Sequence, residues 1–146
     1  MMKPIQSMKL EIESRSVNEA FARAVVSAFA AQSDPTVEEL SDLRTAVSEA
    51  VTNCIVHAYR DTMGKIYITA SVYPDGMFCV RIRDKGCGIE DIPQAMEPLF
   101  TTLGGERSGL GFAVMESFTD KVHVRSTVGK GTTVTLYKKI HGRADG

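Results

Sequence analysis

The chain has 146 residues, 43% hydrophobic and 24% charged, with a net charge of −1. That length fits a single domain over residues 1–146 and needs no staple to bury a core. The near-neutral charge argues against nucleic-acid binding through bulk positive charge, and no apolar run has the length of a membrane span or the character of a signal peptide. A cytoplasmic location is therefore expected. Cys54, Cys79 and Cys87 are odd in number and widely spaced, so they outline neither a disulfide framework nor a zinc site and read as buried or incidental thiols.

Met8 to Glu13 alternates apolar and charged residues, the period of a short strand. Ser16 with Glu19 has the spacing of a capping box, which predicts a helix to about Gln32 with Phe21, Val25, Ala28 and Phe29 on its apolar stripe. Asp34-Pro35 breaks the chain. Thr36 with Glu39 repeats the capping signature and opens a long helix, from about Val37 to Tyr59. Ile66, Ile68, Ala70 and Val72 alternate as a strand, and Phe78, Val80 and Ile82 as another. Pro74-Asp75-Gly76 turns between them, predicting a hairpin.

Asp84 to Gly111 contains six glycines and two prolines with little periodicity, the mark of a functional or mobile loop. Helical spacing returns at Phe112–Phe118. Strands near Lys121–Ser126 and Thr132–Lys138 follow, joined by Gly129-Lys130-Gly131. The order βααββ, loop, αββ predicts an α+β two-layer sandwich: a mixed, mostly antiparallel sheet with helices on one face.

Three features carry chemistry. Glu49, Asn53 and His57 stand at i, i+4 and i+8 of the long helix, on one face and among apolar neighbours, where unpaired polar groups are costly. Alone, this pattern fits a solvated face as well as a binding stripe, and His57 alone fits a structural hydrogen-bonder. Asp84 continues the inward register of Phe78, Val80 and Ile82, and Gly86 and Gly88 then remove side chains where something must approach the backbone. An ordinary Asp-Gly turn accounts for this motif equally well. Finally, Ser108-Gly109-Leu110-Gly111 opens a helix, a natural anion site. It is neither a Rossmann fingerprint, since Val114 takes the third glycine's place, nor a Walker A loop. Together the three supply what a magnesium nucleotide needs: glycine amides for phosphates, Asn53 for the metal, and Asp84 for the base.

With these residues in place, the chain resembles the GHKL ATPase/kinase superfamily. E-A-V-T-N-C-I-V-H-A (Glu49–Ala58) resembles its N box, D-K-G-C-G-I (Asp84–Ile89) its first glycine box and G-L-G-F (Gly109–Phe112) its second. Within it, N-E-A-F-A-R (Asn18–Arg23), D-P-T-V-E-E-L (Asp34–Leu40), P-L-F-T-T (Pro98–Thr102) and E-R-S-G-L-G-F (Glu106–Phe112) are similar to the anti-sigma-F factors of endospore-forming bacteria.

The resemblance implies a homodimeric serine kinase that uses ATP, yields ADP and requires Mg2+. It would hold a sporulation sigma factor inactive and phosphorylate a serine of an anti-anti-sigma protein. By position, Glu49 resembles the general base, Asn53 the magnesium ligand, Asp84 the adenine-binding acid and Thr132 the residue beside the base. His57, Gly86, Gly88, Ile89, Thr101, Arg107, Ser108, Gly109, Leu110 and Gly111 are implied nucleotide contacts, and Arg23 a partner contact. The segment from about Glu97 to Ser108 is expected to form a nucleotide lid, and its Thr102–Glu106 stretch departs from the family pattern.

Related readings are an anti-sigma-B-type kinase, which the intact first glycine box disfavours, and a module that uses ATP structurally, against which Glu49 speaks. A histidine-kinase fragment would need a phosphoacceptor helix pair ahead of Glu49, and a gyrase- or MutL-like ATPase a transducer domain; neither is expected here.

Overall fold

The period-two alternation builds a five-stranded sheet. Its strands are β1 (Gln6–Glu13), β2 (Lys65–Val72), β3 (Met77–Asp84), β4 (Lys121–Thr127) and β5 (Gly131–Lys139), in the order β1-β2-β3-β5-β4. The computed structural model describes residues 2–96 and 106–142. All four strand pairings are antiparallel, which narrows the expectation of a mixed sheet. Two helices between β1 and β2 carry the chain across the sheet and back, so β2 enters from the opposite end. Turn residues Pro74–Gly76 close the β2–β3 hairpin as expected, with Gly76 at φ 88°.

Ile66, Ile68 and Ala70 of β2, Phe78, Val80 and Ile82 of β3, and Val134 and Leu136 of β5 bury one face. Against it pack α1 (Val17–Ala30), α2 (Val37–Asn53) and α4 (Glu106–Phe118); α3 is a short segment at Ile92–Met96. Phe29 of α1 meets Phe78 of β3 with ring centroids 5.9 Å apart. None of the helices among the described residues is long and apolar enough to cross a membrane.

The two expected capping boxes fare differently. At α2 the box closes: Glu39 N donates to Thr36 Oγ1 at 3.0 Å, and Thr36 N donates to Glu39 Oε1 at 2.9 Å. At α1, Ser16 is already helical in backbone conformation and its side chain caps nothing. Glu19 instead accepts from Ser48 Oγ of α2 at 2.6 Å. The longer-range partner on a packed neighbour wins over the local cap.

The apolar stripe of α1 also differs from expectation. Its buried residues are Ala22, Val26, Phe29 and Ala30, whereas Phe21 is 49% exposed, Ala28 is exposed and Val25 half-buried. Small Ala22 and Ala30 let α1 approach its neighbours closely, which turns Phe21 outward. Arg23 accordingly does not face away from the packed side. It lies on its flank, half-buried, with Nη1 3.5 Å from Glu19 Oε2.

Glu39 also fastens the end of the chain, because Oε2 accepts from His141 N at 2.8 Å and Oε1 from Gly142 N at 3.2 Å. Partial burial pushes its carboxyl up, but the backbone N–H groups of Thr36, His141 and Gly142 outweigh this and hold it below its ordinary value of 4.5. The unfolded state therefore takes up the proton first, and stability present above pH 4.5 is lost as pH falls through the folded value. Glu39→Gln should be about 1 kcal/mol less stable than the parent at neutral pH. Urea melts should show that gap narrowing as pH falls below 4.5 and the parent carboxyl takes up its proton.

Candidate functional site

The first site element is where α2 ends. The sequence pattern predicts one α-helix to Tyr59, but α-helical bonding stops at Asn53 and a wider π turn spans Cys54–Ala58. Tyr59 N there donates to Cys54 O at 3.1 Å, a five-residue closure. Such turns mark functional sites because they re-aim side chains without ending the helix. His57 therefore stands at a different bearing from the one α-helical extrapolation gives it, yet it still lines the same cavity as Asn53.

That cavity, of about 1070 Å³, lies between the end of α2, the loop after β3 and the β4–β5 hairpin. Asn53, His57, Asp84, Gly86, Gly88, Ile89 and Thr132 all line it, so the structure brings together residues from three separate segments. Glu49 stands one helical turn before Asn53, half-buried; the described lining starts at Ala50 and does not include it.

Asp84 is the centre of the arrangement. It ends β3 opposite Ile66 and is 5% exposed, facing inward as its register requires. Its Oδ1 accepts from Gly86 N at 2.9 Å and from Thr132 N at 3.2 Å, and Oδ2 accepts from Cys54 Sγ at 3.5 Å. Burial pushes the Asp84 carboxyl above its ordinary value, against the lowering effect of these three donors. The Cys54 thiol is pushed well up by its own burial and by the Asp84 charge, which keeps it protonated and a donor.

The glycine loop is pinned from both sides. Tyr59 Oη accepts from Lys85 N at 2.6 Å and donates to Lys65 O at 2.7 Å. Cys87 N donates to Ala58 O at 3.2 Å, and Gly129 N to Cys87 O at 2.8 Å. Ile89 N donates to Ser126 Oγ at 2.7 Å, and that hydroxyl shares a 2.8 Å hydrogen bond with Thr132 Oγ1. At Gly86 a side chain would run into the carbonyl of Ala58.

The second glycine motif sits differently from expectation. Helix α4 begins at Glu106, so within the helix its unbonded N–H groups belong to residues 106–108. Gly109 follows them directly, and neither it nor Gly111 is among them. A Cβ at Gly111 would lie 3.1 Å from Asn53 Oδ1, so this glycine serves to bring α4 against the Asn53 amide. Thr101 and most of the expected lid lie outside the described residues, as do the side chains of Arg107, Ser108 and Leu110.

Sequence reasoning missed Cys54, Tyr59 and Ser126. Cys54 follows Asn53 directly, and that adjacency was the available signal. Ser126 gives none, since a serine near a strand end is common.

A family model described as a histidine kinase-like ATPase domain matches residues 12–138. A protein named anti-sigma F factor from Caldanaerobacter subterraneus is 55% identical over 91% of this chain and 93% of its own. One of the same name from Geobacillus stearothermophilus is 51% identical over 90% of each chain. The chain belongs to the anti-sigma F factor family of histidine kinase-like ATPases. Membership makes it a nucleotide-binding domain of the GHKL superfamily. Solved structures agree on the fold. The RsbU and RsbW domains of a Mycobacterium tuberculosis protein superpose with a TM-score of 0.69 at 19% identity, covering 94% of this chain and 33% of that one. A histidine kinase domain from Erythrobacter litoralis gives 0.54 at 20% identity, covering 84% of this chain and 60% of that one.

Gly88 has φ +81°, and a Cβ there would sit 2.5 Å from the Thr127 carbonyl oxygen. Gly88→Ala should combine left-handed backbone strain with a backbone collision and destabilise the protein by about 2–4 kcal/mol. Chemical denaturation measures this, and a loss below about 1 kcal/mol would mean that the loop does not hold this conformation.

Proposed function

We propose that this chain is an anti-sigma factor and an ATP-dependent protein serine kinase, acting in the cytoplasm. It would bind and inhibit a sporulation sigma factor and inactivate an anti-anti-sigma protein by phosphorylating a serine. The observation that carries the reading is Asp84: a buried carboxylate at a cavity wall, oriented by Gly86 and Thr132 N–H groups, with Asn53 lining the same cavity. The names of its relatives support the anti-sigma role.

In this mechanism Asp84 accepts a hydrogen bond from the adenine amino group, with Thr132 and Ile89 beside the base. His57, Gly86 and Gly88 line the nucleotide, and Gly109, having no side chain, lets phosphate approach the N-terminus of α4. Asn53 supplies an amide oxygen, a hard donor that fits Mg2+ completing its shell with phosphates and water. The metal, when bound, neutralises charge on the phosphates. Glu49 takes the proton from the attacking serine hydroxyl as its oxygen bonds to the γ-phosphorus and the bond to the departing ADP breaks. Thr101, Arg107 and Ser108 are assigned to the lid, and Leu110 to the nucleotide contacts of the second glycine motif.

The outer stripe of α1 suits a protein interface. Val17 is 74% exposed and Phe21 49%, an apolar patch next to the edge strand β1. We assign homodimerisation to this surface and partner contact to Arg23 on its flank. One observation favours a second reading, in which ATP is a structural ligand: Glu49 lies outside the described cavity lining.

Two variants test the assignment. Asp84→Asn should weaken ATP binding by about one to two orders of magnitude, the loss of a charged hydrogen bond. Calorimetry on the folded variant that finds unchanged affinity defeats the adenine role. Glu49→Gln should hold ATP within about twofold of the parent while radiolabel transfer to the partner serine falls at least about 100-fold. Transfer at the parent rate removes Glu49 as the base, and absence of transfer in the parent favours the structural-ligand reading.

A further inference from the structure

The sheet face opposite the helices carries a second surface that the nucleotide site does not use. Strand register arranges it in rows: Arg83 beside Thr133 beside Arg125, Arg81 beside Thr135 beside His123, and Cys79 beside Tyr137 beside Lys121. Thr133, Thr135 and Tyr137 of β5 thus form a floor. Arg81 and Arg83 on β3 make one cationic rail, and Lys121 and Arg125 on β4, with His123 between them, the other. All five rail residues are exposed, while Thr135 between them is buried. The rails stand two strand spacings apart, roughly 9.5 Å; along the strands Arg81 and Arg83 are roughly 6.7 Å apart and Lys121 and Arg125 roughly 13 Å.

On the other half of this face opposite charges pair, Lys65 with Glu11 at 2.8 Å and Arg15 with Glu13 at 3.0 Å, and Lys9 stands outside these pairs. Among the described residues, Arg81, Lys121 and Arg125 make no ion pair. With a net charge of −1 for the whole chain, this is a local concentration of one sign rather than a basic protein.

We propose that the β3–β5–β4 trough docks an extended acidic segment of a partner protein. An extended chain repeats its side chains on one side at the same interval as a strand, so Asp or Glu at alternate positions falls in step with Arg81 and Arg83. Arginine forks take carboxylates in bidentate geometry, and the half-buried Thr133 of the floor can offer its hydroxyl to the segment's backbone. A protein segment is favoured over nucleic acid because the aromatic rings are already occupied. Arg83 lies 4.9 Å and Lys85 5.1 Å from the Tyr67 ring centroid, and Lys121 5.8 Å from that of Tyr137. Those rings hold cations in place and are not open for stacking bases.

The test uses the full chain and a fluorescent peptide of ten glutamates, titrated by anisotropy at low and high salt. Arg81→Glu/Arg125→Glu should weaken binding at least about tenfold, whereas Lys3→Glu/Arg44→Glu, with the same change in net charge off the trough, should stay within about twofold. Both should keep the parent's melting temperature and ATP affinity. Should the reversal unfold the protein, Arg81→Gln/Arg125→Gln removes the charges without reversing them, and a loss of at least about threefold there supports the trough. Absence of peptide binding by the parent, equal loss in trough and control variants, or equally tight binding of a ten-nucleotide oligothymidine would each overturn the proposal.

Discussion

A buried carboxylate must be answered by donors, and much of the site is organised around answering Asp84. Its register puts it on the core side of β3, where an unpaired charge would be costly. Three donors from three places meet it: the turn that follows it, the start of β5, and the first residue of the π turn. Each contact fixes an element against the others. The carboxylate is thus a structural junction as well as a wall of the cavity. That double role explains why the walls come from segments far apart in sequence yet share one geometry.

The widened end of α2 belongs to the same logic. A regular α-helix would continue past Asn53 without change of bearing. The π turn lets the Cys54 thiol reach Asp84 while the carbonyls of His57 and Ala58 meet Cys87, and Tyr59 crosses to tie Lys85 to Lys65. The helix that presents Asn53 is thereby fastened to the loop that lies across the cavity from it. Cys54 is locked as a donor, because its burial and, beside it, the charge it serves both raise its proton affinity.

Legibility in the sequence followed the range of the forces involved. Period-two alternation placed the four later strands within a few residues and correctly turned Asp84 inward, because a strand's two faces are set by the pleat alone. The Thr36–Glu39 box was legible for the same reason, being closed within four residues. What the sequence did not disclose depends on neighbours. Glu19 abandons its local cap for Ser48, twenty-nine positions away. The buried side of α1 is chosen by close approach through Ala22 and Ala30, not by where the largest apolar residues lie. The π turn arises from contacts across the cavity, and Ser126 acquires meaning only when β4 pairs with β5. Polar residues at Glu49, Asn53 and Asp84 were each ambiguous alone; their common purpose emerges from convergence, which for Asn53 and Asp84 is a tertiary fact.

The distribution of charge and apolar surface extends this argument beyond the nucleotide. A net charge near zero conceals three unlike surfaces: an apolar stripe on α1, a mixed polar and apolar cavity at the end of α2, and a cationic trough behind the sheet. Antiparallel sheets tolerate one uncovered face, which is normally a mixed polar surface. Here opposite charges pair on β1 and β2, whereas the charges across β3, β5 and β4 share one sign. Such an arrangement costs electrostatic repulsion in the isolated chain, and a partner of opposite sign would relieve it. The same strand whose end carries Asp84 into the cavity carries Arg81 and Arg83 into the trough, since successive side chains point to opposite faces. The two surfaces are therefore backed against each other across a single layer of β3, with Asp84 next in sequence to Arg83.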